Sequence, residues 1–99
     1  MIAIRETEHF KTWIRGLGDQ VTQTIINARI RRISAGNFGD SKPVRNGVSE
    51  LRIDYGPGFR VYFTRRREKI VVLLCGGDKS TQSRDIETAK QIAQNLEGV

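Results

Sequence analysis

Three strand-like segments follow one another closely in the second half of the chain, at residues 48–54, 59–65 and 69–75. The first two alternate apolar and other residues, which is the pattern of strands with one buried face. The third, "KIVVLLC", is apolar on both sides, so we predict that it is a central strand. Only short turns join the segments, and we predict a twisted, mainly antiparallel sheet.

Helical patterns lie on either side of these strands. The first helix has an apolar face at helical spacing, made by Phe10, Trp13, Ile14 and Leu17. Thr7 and Asp19 are predicted N-caps of the first and second helices. A last amphipathic helix, with apolar residues from Ile86 to Leu96, is predicted to end at Gly98. The apolar start "MIAI" reads as an edge or joining strand, and residues 34–47 as a polar, cationic loop.

The predicted element order is therefore β-α-α-β-β-β-α, an α+β fold. The chain has 99 residues, a length natural for one domain, and we predict a single domain over residues 1–99. Both helices of the first pair and the last helix are predicted to cover one face of the sheet. The other face is then predicted to be open and cationic.

The chain is strongly basic, with 17 Lys and Arg residues against 11 Asp and Glu and a formal net charge of +6. Such a charge favours a polyanionic partner: nucleic acid, the ribosome or an acidic protein. Arginine runs occur at residues 29–32 and 65–67. The planar guanidinium suits phosphate, although a solvated charged face is the usual fate of such runs.

Several classes of site are disfavoured by the residues available. Cys75 is the single cysteine and lies in an apolar run, so we interpret it as a core residue rather than a nucleophile. His9 is the single histidine, and a metal site is improbable. No nucleophile triad and no phosphate-binding or dinucleotide glycine motif is present, so no cofactor is expected. The chain has no apolar run of 18 residues and no secretory signal, so we expect a cytoplasmic protein.

The hairpin formed by the first two strand segments can pair in two registers that keep its apolar residues on one face. One register sets Arg52 opposite Arg60, and the other sets Arg52 opposite Tyr62 and Asp54 opposite Arg60. The sequence does not choose between them. In both, Arg52, Arg60 and Tyr62 share the face away from the core, and Glu50 on that face is interpreted as a counter-ion for the arginines.

Four cations are candidates for a phosphate site: Arg52, Arg60, Lys42 and Lys79. They come from two strands and two loops that can converge at one end of the sheet. Such a cluster binds phosphate and can stabilise the charge that develops when a ribose 2′-OH attacks its own phosphate. A desolvated lysine can also shuttle protons. Tyr62 can stack on a base, and further RNA contacts are predicted for Arg45, Arg65 and Arg66.

Three stretches of the sequence resemble a known family: "GDSKPV", "LRIDYGPGFRVYF" and "LLCGGDKSTQSRDIETAKQIA". Together with the element order, they resemble the RelE/ParE superfamily of bacterial toxins, and most of all its HigB-like branch of addiction module killer proteins. The resemblance covers nearly the whole chain.

The resemblance implies a ribosome-dependent endoribonuclease that cuts mRNA in the A site and is held inactive by an antitoxin, usually of the helix-turn-helix type. It implies that Arg60, Arg52, Lys42 and Lys79 orient the phosphate and stabilise the transition state. Some relatives carry a tyrosine or histidine at the start of the last helix; here Ile86 is nearest, so Lys79 or Lys42 is the substitute for proton transfer. The alternatives are a ParE-like toxin that acts on gyrase and a non-catalytic RNA- or ribosome-binding module.

Overall fold

The computed structural model describes residues 1–96 and has the α+β architecture that the sequence predicts. It contains three helices and one five-stranded mixed sheet. The elements in chain order are β1 (Ala3–Glu6), α1 (Glu8–Gly16), α2 (Gln20–Ser34), β2 (Ser41–Arg45), β3 (Val48–Ile53), β4 (Phe59–Arg66), β5 (Ile70–Asp78), a 3-10 turn (Lys79–Thr81) and α3 (Gln82–Gln94). The predicted helix end at Gly98 lies outside the described residues.

The sheet has the strand order β1-β5-β4-β3-β2. β1 runs parallel to β5, and every other neighbouring pair is antiparallel, so the prediction of a mainly antiparallel sheet is confirmed. β5 lies between β1 and β4, in an interior position that its two apolar faces favour.

The prediction of an uninterrupted loop at residues 34–47 is wrong, because β2 lies inside it. β2 pairs with β3 at the edge of the sheet, and its register shifts between Pro43 and Arg45. Proline is tolerated on an edge strand because its missing N–H removes no hydrogen bond on the outer side. The observed order therefore has one more strand than predicted.

The helices cover both faces of the sheet, so the prediction that they cover one face is also wrong. On one face, α1 and α2 pack over a core built on Phe10, Ile26, Ile33, Leu51, Val61, Phe63 and Leu73. On the other face, α3 packs over Val48, Tyr62, Val72, Leu74 and Cys75. A strand such as β5 that is apolar on both faces requires a cover on each, and α3 supplies the second one.

Both predicted helix caps are confirmed. The Phe10 N–H donates to Thr7 Oγ1 at 3.0 Å, and the Val21 N–H donates to Asp19 Oδ1 at 3.1 Å. These bonds satisfy amide groups that have no partner within their own helices. The hydrogen bond from Thr22 to the Asp19 carboxylate lowers the pKa of Asp19.

Two adjacent glycines let α1 and α3 approach β5 from opposite sides. A Cβ at Gly76 would overlap the ring of Trp13 on α1, and a Cβ at Gly77 would overlap the Asp85 carboxylate on α3. Successive residues of a strand face opposite sides of the sheet, so each glycine serves one helix. β5 extends through both glycines to Asp78. The sequence predicts that the strand ends at residue 75, so this extension replaces part of an expected loop.

No helix among residues 1–96 is both long enough and apolar enough to cross a membrane.

Candidate functional site

The hairpin of β3 and β4 adopts the register that sets like charges against each other. Arg52 pairs with Arg60, and Glu50 pairs with Tyr62. Two arginines directly opposite each other repel unless an anion compensates them. The register therefore requires a negative group close to both guanidinium groups.

Glu50 supplies that negative charge, as the sequence predicts. Its side chain is 0% exposed, and its Oε2 accepts a hydrogen bond from Arg52 Nε at 2.9 Å. Arg60 Nε lies 3.9 Å from the same oxygen. Gln82, at the start of α3, donates from Nε2 to Glu50 Oε1 at 2.7 Å. Both carboxylate oxygens are thus engaged, which is what keeps a buried charge tolerable.

Neighbouring backbone carbonyls hold the Arg60 side chain beside the hairpin turn. Its side chain is only 12% exposed, and its Nη1 donates to the carbonyls of Gly58 and Phe59 at 3.3 and 3.2 Å. Its Nε is buried and has no hydrogen-bond partner among the described residues. Within residues 1–96 Arg60 forms no ion pair with Asp54, so the alternative pairing at the hairpin end is not formed.

Arg52, Arg60 and Lys79 line one cleft of about 230 Å³ at this end of the sheet. Its other walls are the hairpin turn at residues 56–58 and two carboxylates, Asp40 and Asp54. Three of the four predicted catalytic cations are therefore together, and they come from β3, β4 and the turn after β5.

Gly58 allows Lys79 to reach this cleft. A Cβ at Gly58 would lie 2.7 Å from Lys79 Cδ and 3.7 Å from Arg60 Nη1, and its φ is +83°, so a side chain is disfavoured on two grounds. The Lys79 N–H also donates to the Gly58 carbonyl at 3.0 Å. The lysine stem consequently lies across the hairpin turn, beside Arg60.

A capped 3-10 turn fixes the backbone position of Lys79. The Asp78 carboxylate accepts a hydrogen bond from the Ser80 N–H at 2.8 Å, which closes the 3-10 turn that carries Lys79. The bonds from Ser80 lower the pKa of Asp78. Lys79 itself is exposed.

Lys42 is the fourth predicted cation, and it does not line the cleft. It lies on β2 rather than in a loop, directly opposite Glu50 on β3. Cross-strand partners share a face, so Lys42 stands on the same face as Glu50, one strand further out. It is exposed there.

The three further arginines predicted to contact RNA lie outside the cleft. Arg45 forms an exposed ion pair with Glu87 on α3, at 3.0 Å. Arg65 donates from Nε and Nη2 to the Glu68 carbonyl, and Arg66 donates from Nη2 to the Ala93 carbonyl. Arg65 and Arg66 end β4, about 20 Å along the strand from Arg60 at roughly 3.4 Å per residue.

The prediction that Tyr62 stacks on a base is wrong for this structure. Tyr62 is 0% exposed, because α3 covers the face of the sheet that was predicted to be open. Its hydroxyl has no hydrogen-bond partner among the described residues. Desolvation, followed by the nearby charges of Glu50 and Asp85, raises the pKa of Tyr62, so the phenol stays protonated.

Cys75 is a core residue, as predicted. It is 2% exposed beneath α3, and burial raises the pKa of its thiol to about 12. At neutral pH it is therefore a thiol rather than a reactive thiolate.

Three residues that position the cleft were not predicted from the sequence. Besides Gln82, the carbonyl of Asp40 accepts a hydrogen bond from the Arg52 N–H at 2.8 Å. Arg29 on α2 donates from Nη1 to the Arg52 carbonyl at 3.0 Å. The backbone of Arg52 is thus fixed on both sides, by contacts between residues distant in sequence that no local pattern indicates.

A larger cavity lies elsewhere, between α1 and α3. It measures about 520 Å³ and is lined by Glu8, His9, Trp13, Arg84 and Asp85 among others. Its lining includes both acidic and basic side chains. The smaller cleft is the better candidate site, because three cations converge there over a buried counter-ion. No group of three or more metal-ligating side chains occurs within the described residues.

Comparison with known proteins assigns the family. The family model "Phage derived protein Gp49-like (DUF891)" matches residues 12–97, most of the chain. The chain belongs to the Gp49-like family. The prediction of the RelE/ParE superfamily and its HigB-like branch is therefore wrong, since the Gp49-like family is a different one. The Gp49-like family is a toxin-antitoxin toxin-like family.

A relative of this Gp49-like chain is an uncharacterized protein of Haemophilus influenzae strain Rd. The two are 50% identical over 95 residues, which cover 96% of each chain. No solved structure matches this Gp49-like chain.

Proposed function

We propose that this Gp49-like protein is a toxin that cuts mRNA on the ribosome, with the cleft of Arg52, Arg60 and Lys79 as its active site. The observation that carries the proposal is the convergence of these three cations, from three elements, on one cleft over a buried carboxylate. A cleft of this kind suits a phosphodiester, which is anionic and gains negative charge in the transition state.

The two arginines keep free donors for such a phosphate. Glu50 engages Nε of Arg52, and neither Nη atom of Arg52 makes a hydrogen bond within residues 1–96. The same holds for Nη2 of Arg60. Glu50 binds Nε of Arg52, and the carbonyls of Gly58 and Phe59 bind Nη1 of Arg60. Because both guanidinium groups are already anchored, they need little reorganisation when a phosphate binds.

The proposed reaction is an attack of the ribose 2′-oxygen on the adjacent phosphorus. The O2′–P bond forms and the P–O5′ bond breaks, leaving a 2′,3′-cyclic phosphate and a 5′-hydroxyl. Arg52 and Arg60 bind the nonbridging oxygens. The ammonium group of Lys79 gives a proton to the departing 5′-oxygen.

The proton of the 2′-hydroxyl needs an acceptor, and the cleft offers two. Asp40 and Asp54 both line it. An ionised carboxylate accepts a proton, whereas an ammonium group does not, so we assign this role to one of these aspartates rather than to Lys42. Glu50 is excluded as the base because it is buried and both its oxygens are occupied. Lys42 is left to contact a flanking phosphate.

The proposed setting follows from the family and from the target. A toxin of this type is paired with an antitoxin that keeps it inactive, so we propose a cognate antitoxin as a partner in a hetero-oligomer. A target on translating ribosomes places the toxin in the cytoplasm.

Growth and RNA ends in cells test the proposal. Induction of the wild-type chain is expected to arrest growth and to create new RNA ends within translated reading frames. Arg60→Ala and Lys79→Ala should each reduce cleavage by about 10²-fold or more, because each removes transition-state stabilisation. Asp40→Asn and Asp54→Asn identify the base, since only one of them should have a comparable effect.

Lys11→Ala is the matched control, because Lys11 is an exposed cation paired with Glu8 on α1. It should leave toxicity unchanged. Growth arrest with intact mRNA would contradict the proposal, and an accompanying DNA-damage response would point to gyrase. Tight RNA binding without cleaved products would indicate a non-catalytic module.

A further inference from the structure

Most of the net positive charge of the chain lies far from the cleft. The end of β4, the β4–β5 turn and the last turn of α2 carry six cations that we call the turn-end patch: Arg31, Arg32, Arg65, Arg66, Arg67 and Lys69. Glu68 is the acidic residue among them. The patch thus holds six of the 17 basic residues and one of the 11 acidic residues, a charge of +5 out of the total +6.

Backbone hydrogen bonds hold the two parts of the patch together. The Ile2 N–H donates to the Ser34 carbonyl at 3.0 Å, and the Ala3 N–H donates to the Lys69 carbonyl at 2.8 Å. Ile2, just before β1, and Ala3, its first residue, therefore tie the end of α2 to the β4–β5 turn. Arg65 lies over the ring of Phe38, with Cζ at 4.9 Å from the centroid.

The patch cannot hold the phosphate that sits in the cleft. Arg60 and Arg66 lie at opposite ends of β4, about 20 Å apart at roughly 3.4 Å per residue. A ligand on the patch is a second segment of polyanion, or a second molecule.

The turn that presents the patch has an unfavourable backbone. Arg67 and Glu68 both have positive φ, 54° and 63°. The turn has three residues, 67–69, between the paired Arg66 and Ile70. Positive φ favours Gly or Asn, because other L side chains rarely adopt that region. Charged residues occupy both positions, and backbone strain of this kind concentrates at functional sites.

The patch lacks the features that bind unpaired bases or proteins. Phe38 is covered by Arg65 on one side and packs on Phe63, at 5.8 Å between ring centroids. The exposed large apolar side chains in residues 1–96 are Met1, Val21 and Tyr55, and they form no cluster in the patch. Recognition of single-stranded RNA uses exposed aromatic rings, and protein interfaces have an apolar centre.

We propose that the turn-end patch binds the phosphate backbone of double-helical RNA, independently of the cleft. The arginines of the patch other than the half-buried Arg66 are exposed and lack a stacking surface. Such arginines suit a duplex, which is contacted through its phosphates and its shape. The inference rests on the proposed function in one respect: the patch would hold structured RNA that surrounds the message while the cleft cuts it.

Binding to a 20-base-pair RNA duplex, measured by fluorescence anisotropy over a series of KCl concentrations, tests the proposal. The triple variant Arg31→Gln, Arg67→Gln, Lys69→Gln removes three exposed cations of the patch. Lys11→Gln, Arg15→Gln, Lys90→Gln removes three cations elsewhere and has the same net charge. Circular dichroism and thermal unfolding establish that both variants fold.

We expect the patch variant to bind the duplex at least tenfold more weakly at low salt. The slope of log affinity against log salt should fall by up to about 2.7, at about 0.9 for each of the three lost phosphate contacts. The control triple should change affinity less than threefold. Equal losses in the two triples would overturn the proposal, as would tighter binding of a single strand of the same length. Equally tight binding of polyglutamate would overturn it in favour of an acidic protein partner.

Two further variants separate this proposal from the proposed function. Arg67→Asn should unfold at the same or a higher temperature while binding the duplex several-fold more weakly; unchanged affinity counts against the patch. Arg60→Ala should bind the duplex like the wild type. If the wild type cuts no mRNA but the patch triple still loses duplex binding, the proposed function fails and the patch stands.

Discussion

At the scale of single residues, Glu50 decides how the site is built. Its buried carboxylate makes an arginine–arginine register acceptable and orients both guanidinium groups. The pair of arginines is adjacent only because this anion lies beside them. Glu50 is therefore a structural requirement of the cleft rather than one of its reacting groups.

Replacing Glu50 should be costly. We expect Glu50→Gln to lower the free energy of unfolding by about 3–5 kcal/mol, because removing one member of a buried ionic network leaves its partners uncompensated. Urea denaturation measures this. Glu87→Gln is the control, since Glu87 pairs with Arg45 at an exposed site and should change the value by about 0–1 kcal/mol. Equal effects of the two substitutions would show that the buried Glu50 contributes no more to stability than an exposed ion pair does.

Residue alternation predicted which side chains share the Arg60 face, but not what covers that face. Arg60, Arg52 and Glu50 were placed together correctly, because period-two geometry is local. Tyr62 was misassigned to solvent because alternation cannot distinguish a wet face from one buried by a distant helix. The bonds from Arg29 and Gln82 are tertiary contacts, and they too leave no local signature.

At the scale of elements, the glycine pair in β5 controls the distance between the sheet and its two helical layers. Gly76 receives Trp13 of α1, and Gly77 receives Asp85 of α3. Neither glycine has a positive φ, so what both positions require is space rather than backbone freedom.

Adding a single methyl group at either position should separate a helix from β5. Gly76→Ala and Gly77→Ala are each expected to destabilise the protein by about 1–3 kcal/mol, the usual cost of overpacking. Thermal unfolding is the measurement. Gly16→Ala is the control, since nothing lies within 4 Å of a Cβ there and the helix should gain slightly. Wild-type stability of both β5 variants would contradict the close packing.

The Asp78 cap that positions Lys79 should make the stability of the protein depend on pH in the acidic range. The pKa of Asp78 is lowered in the folded chain from its ordinary value of 3.8, so its contribution is present above that value and is lost as pH falls through the lower folded pKa. We expect Asp78→Ala to be less stable than the wild type at neutral pH, with the difference shrinking on acidification below 3.8. A difference that is constant with pH would exclude an ionised cap.

Local patterns predicted most elements but not their layering. The strands β3, β4 and β5 and the caps at Thr7 and Asp19 follow from alternation and capping chemistry. β2 was missed because Pro43 lies within it and Gly and Asn residues flank it, a composition typical of a loop. The placement of α3 depends on which face of the sheet the other helices leave uncovered. That face is defined only once the sheet has assembled, so no local pattern predicts it.

At the scale of the whole molecule, most of the net positive charge is separated from the proposed active site. The cleft lies at one end of β4, and the patch with +5 of the net charge lies about 20 Å away at the other. Our two proposals therefore place long-range attraction to RNA at one end and bond breaking at the other. On this account, lowering the total charge at the patch slows association and leaves the cleavage step unchanged.

The most direct test of the central claim is cleavage of a defined mRNA in a purified translation system, with and without ribosomes. We expect cuts within the translated frame, a 2′,3′-cyclic phosphate and a 5′-hydroxyl at each cut, no products when ribosomes are omitted, and cleavage that is slower by about 10²-fold or more when Arg60 is replaced by alanine. Intact mRNA in the presence of active toxin and translating ribosomes, or equal cutting of free RNA, would contradict it.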